Sequence, residues 1–503
     1  MLKMGIIIND DFEVYHKYLW QNGLSEKADE STARSYIRRY ANTQVRAIYF
    51  NVNAQFSYSP SSVIDTPESR YHRKEVDGVP FNFPGTLHKG WYDQVIVKGI
   101  DLWEVFTEEA RAVGISPWLS IRPNDTHDNT LPGGGLRQCD YTYNARKNGL
   151  SRCRHRPVTG YFDNCLDFSV PDVRERFLSY VKEQLLRYNV DGIEIDFMRE
   201  AFLFRPGYED EGREIIFHMM RSVRDIANDA AEKFSHPVSV AIRTFRDPEF
   251  DFYSGIDTPR LAREGLIDAV TVTGRWRTTD SDIPLEHWKN LLPKNVRLSL
   301  GAEMLCRSYK KEERLAPESF LRAMANYAYS VGTEDIYLYN YSYLAAPTAD
   351  GLPERTEEQS YRDLLHQLGS LDTLCGLPRR HILTYNDTPP TGFQPRTTLP
   401  IPVDFCTEHS TVRVFTGACD EKMYLLLEIN AAPDEISVWL NSADVRYIGK
   451  TQIEKEYAEG DVLVYEATTL RPITQMLEIS MKEKNRSSTL SYVEIRNRRP
   501  EVH

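Results

Sequence analysis

Eight short apolar runs, set between helix-like stretches and loops and each ending on polar residues, constrain this chain more than any other feature. Met4–Asp11, Val45–Asn53, Ser116–Ile121, the run inside Val190–Glu200, Val238–Phe245, Ala269–Thr273, Val296–Glu303 and Ile336–Tyr341 read as strands. Helical patterns fall between several of them, at Glu30–Asn42, Leu102–Val113, Ser169–Tyr188, Asp210–Phe234 and Glu318–Ser330. Ser31 is the expected cap of the first, and Ser169 with Asp172 the expected capping box of the third. Strands alternating with helices build a parallel sheet. Eight of them predict an α/β fold, a (β/α)8 TIM-type barrel, with its chemistry at the C-terminal ends of the strands.

The fourth run shows the pattern most clearly. Asp191-Gly192 reads as the turn that opens it. Ile193, Ile195 and Phe197 then alternate with Glu194 and Asp196, the period of a strand. A strand buried in a barrel does not carry two carboxylates without a purpose.

After about Thr373 the character changes. We divide the chain into a barrel, residues 1–375, and a C-terminal β-rich domain, 376–503; at 503 residues it is too long for one core. Pro378–Pro400 reads as a linker or covering loop. Thr411–Phe415, Met423–Ile429, Ile436–Leu440, Val462–Ala467 and Met476–Met481 alternate like strands of an antiparallel sandwich, expected to brace the barrel or to dimerise.

The formal net charge of −12 argues against nucleic acid or an anionic membrane as a partner. A local cluster of arginines can still attract a small anion. The 29 Tyr and 7 Trp suit carbohydrate stacking and large cores equally. Seven cysteines without a CxxC pair give no expectation of a zinc site. Reduced thiols in a cytoplasmic setting are the expectation, with a disulfide among Cys139, Cys153 and Cys165 as the alternative for an exported protein. The apolar run at the N-terminus is too short for a signal peptide, and no stretch is long enough to span a membrane.

The strand ends gather Asp10, Asp11, Arg122, Asn124, Asp125, His127, Glu194, Asp196, Arg199, Arg243, Arg246, Arg275, Arg277, Glu303 and Asn340. Paired carboxylates at a barrel mouth suggest glycoside hydrolysis, and arginines beside them suggest an anionic sugar, since the guanidinium fork matches a carboxylate. Structural alternatives stand beside this: arginines held in ion pairs, Glu194 and Asp196 serving only to hold them, and His127 as a loop residue without a role. The long loop after strand three, roughly forty residues, is of a length usually tied to function. Its Gly133-Gly134-Gly135 reads as flexible, and Arg152, Arg154, His155 and Arg156 as a solvated face.

GIIINDDFEVY at the start, FNVNAQFSYSP after strand two, SIRPNDTHDN after strand three, DGIEIDFMRE at strand four and IYLYNYSY at strand eight resemble glycoside hydrolase family 156. That is a family of inverting exo-sialidases with a (β/α)8 barrel and a C-terminal β-rich domain. The resemblance implies a histidine acid and an aspartate base. Carried over, His127 is the acid and Asp11 the base; Asp10 is the weaker candidate, because adjacent residues on a strand face opposite sides. Asp125 orients His127, Arg122 and Arg199 hold the sugar carboxylate, and Asn340 contacts the sugar. Asn124, Glu194, Asp196, Arg246 and Asp10 complete the expected substrate-facing set. No metal or cofactor is expected, the partner is a sialylated glycan, and dimerisation is a family-level expectation.

The residue types suit that chemistry. A sialoside carries a carboxylate on its anomeric carbon, which repels an anionic nucleophile; attack by water avoids this, with acid and base roughly 6.5–9.5 Å apart. A histidine acid becomes neutral as it gives up its proton. No SxDxGxTW-like Asp-box repeat occurs. Two other functions remain: a neutral-sugar glycosidase using Glu194 and Asp196, and a sugar-binding barrel without catalysis.

Overall fold

The computed structural model describes residues 5–25, 28–66, 75–76, 79–80, 98–127, 139–152, 161–275, 280–306, 314–341, 363–383, 399–406, 410–455 and 457–503. Gly133-Gly134-Gly135, Arg154, His155, Arg156, Arg277, Cys153 and most of the Pro378–Pro400 stretch lie outside them.

The barrel strands are β1 Gly5–Asp10, β2 Val45–Asn51, β3 Ser116–Ile121, β4 Gly192–Asp196, β5 Ser239–Phe245, β6 Ala269–Thr273, β7 Arg297–Glu303 and β8 Asp335–Tyr339. They are parallel and close in sequence order, with β1 pairing β8 through Gly5↔Asp335 to Ile8↔Leu338. Each is the expected strand to within two residues at either end. Their outward residues, such as Ile193 and Ile195, join the main apolar core under the helices. The lower interior is aromatic: Tyr49 stacks on Trp118 at 4.7 Å and meets Tyr337 edge-on at 5.7 Å. Gly192 serves this packing rather than a turn, because a Cβ there would lie 2.4 Å from the Trp118 ring.

The helices nearest the site are α1 Phe12–Gln21, α2 Glu30–Arg38, α3 Leu102–Ala112, α4 Pro171–Arg187, α5 Glu209–Phe234, α6 Pro248–Tyr253, α7 Thr258–Arg263, α8 Leu285–Leu291 and α9 Glu318–Val331. Two caps differ from expectation. Asp29, not Ser31, caps α2, accepting from the Thr32 amide while Thr32 reaches back to the Asp29 amide. Helix α4 starts at Pro171 without any side-chain cap: proline at its first turn fixes φ and lacks the N–H that a cap would satisfy. None of the described helices is long and apolar enough to cross a membrane.

The C-terminal part holds two antiparallel sheets. One runs β9 (Arg380–Leu383), β18 (Ser488–Arg496), β12 (Met423–Ile429), β16 (Val462–Ala467), β15 (Arg446–Thr451), with β10 (Ile401–Val403) also paired to β18. The other runs β11 (Thr411–Phe415), β17 (Thr474–Met481), β13 (Ile436–Leu440), β14 (Ala443–Asp444). Val412, Leu425, Val438, Ile479 and Val493 from both sheets share one apolar cluster. Part of the expected linker is thus a strand, β9, which pairs with β18. The junction with the barrel is specific: Asn326 on α9 donates to the carbonyls of Thr416 and Ala418, and Tyr327 stacks on Phe415 at 5.3 Å. Cys139 and Cys165 are buried free thiols.

Candidate active site

The upper interior of the barrel is polar, because alternate residues of a strand face inward and the upper inward positions hold charged side chains. Two clusters form there, one above the other along the strands.

The lower cluster is closed. Arg243 on β5 is fully buried, ion-paired with Asp196 at 2.9 Å and Glu303 at 3.0 Å, its guanidinium 3.7 Å over the Tyr339 ring. Asp196 also accepts the amides of Met198 and Arg199, both at 3.0 Å, and so folds the chain end that leaves β4. Glu194 accepts from Ser120 Oγ at 2.7 Å and Tyr337 OH at 2.8 Å. Burial, reinforced by Asp196, pushes its carboxyl up to about 8. Burial likewise lifts Glu303 to about 7 against the pull of Arg243. Glu194 and Asp196 are 0% and 1% exposed. They build the floor of the mouth and do not face its opening.

The upper cluster opens to solvent at its edges. Asp11, the residue after β1, pairs with Arg122 at 2.7 Å. Arg122, at the end of β3, also donates to Tyr339 OH at 3.3 Å and lies 3.5 Å from Asp125. Asp125 receives His127 Nδ1 at 2.6 Å, the His127 amide at 3.0 Å and Arg199 Nε at 3.4 Å. Burial would raise Asp125, but His127, Arg199 and Arg122 together hold it well below the usual carboxylate range. It is therefore a fixed anion. A carboxylate on Nδ1 makes that nitrogen the N–H donor and leaves Nε2 for chemistry. Arg199 Nη2 lies against the ring, 2.8 Å from Nδ1 and in short contact with Nε2. The side chains of Asp11 and His127 are 14% and 19% exposed, those of Arg122 and Arg199 only 2% and 4%.

The other expected site residues have the following places. Asp10 points out of the barrel and accepts from Tyr36 OH on α2; burial pushes it up to about 7, against the pull of Tyr36 and Arg39. Adjacent strand residues do face opposite sides here. Asn124 exchanges hydrogen bonds with the Leu166 backbone at 3.2 and 2.8 Å and ties down the returning loop. Arg246 pairs with Asp280 and Asp282, both at 3.6 Å, beyond the end of β6. Asn340 follows β8 in the left-handed region, φ 48°, a conformation asparagine tolerates better than most residues.

Three participants did not emerge from the sequence as site residues. Tyr339 joins Arg122 of the upper cluster to Arg243 of the lower; its place two residues after inward-facing Tyr337 on β8 was the available signal. Glu200 accepts from the Thr126 amide and hydroxyl at 3.4 and 3.2 Å and from Arg275 at 3.3 Å, pinning the loop that carries His127. Gln55 donates to the His127 carbonyl. Asp125, His127 and Glu200 offer ligand atoms within 4.8 Å of one another, a spacing that could hold a metal ion. Yet Arg122 and Arg199 already face Asp125, and Arg275 faces Glu200. That density of positive charge opposes a divalent cation and favours an anion. Beside the cluster lies a small cleft bordered by Arg122, Asp125, Gln55, Tyr141, Phe168 and Arg176.

No protein-family model matches the chain, and no curated protein does. Solved structures give distant likenesses. The glycoside hydrolase domain of PgaB (BpsB) from Bordetella bronchiseptica has a TM-score of 0.41 at 11% identity, over 72% of this chain and 99% of that one. An α-L-fucosidase isoenzyme from Paenibacillus thiaminolyticus gives 0.34 at 14%, over 96% and 97%. A family 18 N-acetylglucosaminidase from Paenibacillus barengoltzii gives 0.38 at 10%, over 73% and 99%. Similarity this distant says nothing about activity; the chemistry has to come from the residues of the mouth.

Proposed function

We propose that the protein is a glycoside hydrolase, an exo-α-sialidase that releases terminal sialic acid from glycans with inversion and without metal. The observation that carries this is the upper cluster: a carboxylate and a histidine at the edges of two buried guanidiniums, at the mouth of a (β/α)8 barrel. Arg122 and Arg199 offer forked donors to the sugar carboxylate. His127, its Nδ1–H on Asp125, presents Nε2 to the leaving oxygen as general acid. Asp11 takes a proton from the attacking water as general base.

Arg199 Nη2 lies against the His127 ring, so a sugar carboxylate that engages this guanidinium is placed beside the imidazole. The neutral-sugar alternative needs Glu194 and Asp196 at the substrate, whereas both are fully buried in the floor, Glu194 Oε1 held by Ser120 and Tyr337 and Asp196 paired with Arg243.

The test is His127→Asn assayed on two sialosides. An aryl sialoside with an acidic phenol leaves without protonation, so turnover should survive in large part. A sialoside of an alkyl alcohol needs the acid and should lose about 10²–10⁴-fold. Equal losses on both would remove His127 from the acid role.

A further inference from the structure

The loops after β4 and β5 reach the same C-terminal face as the proposed site. Five large aromatic or aliphatic side chains among the described residues are well exposed, and three of them lie in these connections: Tyr208 just before α5 at 41%, and Phe252 and Tyr253 at the end of α6 at 41% and 52%. They are not a loose apolar patch. Arg205 stacks over the Tyr208 ring at 3.9 Å and is held by Asp167 at 3.0 Å. Arg213 stacks over the Phe252 ring at 4.0 Å, is held by Asp210 at 2.6 Å and donates to the Phe252 carbonyl at 3.2 Å. Two ring planes are therefore fixed from behind by guanidiniums, and Tyr253 stands edge-on to Phe252 at 84°. Gly255, φ 87°, lets α6 close onto the start of α5, since a Cβ there would lie 3.0 Å from the Glu209 carbonyl.

The platform is also joined to the proposed site. Arg205 is anchored on Asp167, and the preceding residue, Leu166, is the one Asn124 grips beside Asp125. Rigid aromatic faces with charged groups behind them suit a partner that is apolar on one face and hydroxylated at its edges. That is the chemistry of a neutral hexose ring.

We propose that Tyr208, Phe252 and Tyr253 form a stacking surface for the neutral sugars that carry the terminal sialic acid, so that the preferred substrate is a sialylated oligosaccharide. This rests on the sialidase reading. The experiment compares sialyllactose with an aryl α-sialoside in the double variant Phe252→Ser/Tyr253→Ser. KM for sialyllactose should rise about three- to tenfold, the worth of one or two ring contacts, with kcat and the aryl substrate unchanged. Restoring a ring with Tyr253→Trp should recover part of it. KM unchanged, or raised alike for both substrates, would overturn the proposal. So would a dimer in light scattering that the double variant converts to monomer, since the patch would then be a subunit contact. If the native protein hydrolyses neither sialoside, the activity reading fails separately, and saturation-transfer NMR with lactose decides the platform. Transfer lost in the variant supports it, and no transfer to the native protein contradicts it.

Discussion

Two arginine–carboxylate clusters share the inside of this barrel, and they have the same residue types in opposite conditions. In the lower, Arg243, Asp196 and Glu303 are each 2% exposed or less and answer one another. In the upper, Arg122, Arg199 and Asp125 are nearly as deeply buried, but Asp11 and His127 keep an edge in solvent. A buried ion pair satisfied within the protein adds little net stability and has nothing left to bind. A cluster in which two guanidiniums border a carboxylate and an imidazole at the solvent edge is placed to take an anion and move protons. Composition does not separate the clusters; the direction of the side chains does. Glu194 and Asp196, the most conspicuous acids of the sequence, belong to the first kind.

The comparison breaks most sharply on Asp11. If the upper cluster carries the chemistry, Asp11→Asn should lower turnover of any sialoside by about 10²–10⁴-fold, whatever the leaving group, with an unchanged melting temperature. Unlike His127→Asn, it should not spare the aryl substrate. A loss confined to poor leaving groups would mean that the two roles are exchanged.

The lower cluster should fail in stability first. Arg243→Met leaves Asp196 and Glu303 buried without their partner and should cost about 3–5 kcal/mol in urea unfolding. A change below about 1 kcal/mol would show that the carboxyls simply take up protons.

Asp125→Asn should act between these extremes. The amide cannot serve as the anion that holds His127 Nδ1 and Arg199 Nε, so kcat on an alkyl sialoside should fall, by less than the loss of about 10²–10⁴-fold for His127→Asn, with the aryl substrate less affected. Equal losses on both substrates would show that Asp125 does not act through His127.

Glu194→Gln should be the mildest change. With its carboxyl pushed up to about 8, Glu194 is largely protonated at neutral pH, and the amide mimics that form. The sign follows from linkage: a folded-state pKa above the unfolded one gives stability that is complete below the unfolded value near 4.5 and is lost as pH rises through about 8. Melting temperature measured from pH 5 to 8 should therefore fall less steeply in the variant, with kcat almost intact at neutral pH. A large loss of kcat would return Glu194 to the mechanism.

Much of the barrel was legible in the chain because its strands are short β-branched runs closed by polar residues, a signal that resides in adjacent positions. Alternation in the sequence also separates Asp10 from Asp11. Helix α1 was not legible: Phe12–Gln21 starts at once after the polar end of β1, and Asp11, a residue type that often caps a helix, reads equally as the strand's polar end. Ser488–Arg496, the longest strand of the C-terminal sheets, begins in a polar stretch and was passed over, and with it the pairing that makes Arg380–Leu383 a strand. At the site, residue types were legible and partnerships were not. Whether an arginine faces a substrate or an aspartate depends on positions far apart in sequence: Arg243 finds Glu303, and Arg246 finds Asp280 and Asp282. The role of Tyr339 exists only once β3, β5 and β8 converge.

The most direct measurement is proton NMR of the sugar released from an aryl α-sialoside, recorded before the anomers equilibrate. The account predicts β-sialic acid first, because water attacks once, from the face opposite the departing group, helped by Asp11. First appearance of α-sialic acid would mean a covalent intermediate, and Asp11 would lose its role as base. Release of nothing at all would remove the sialoside as substrate.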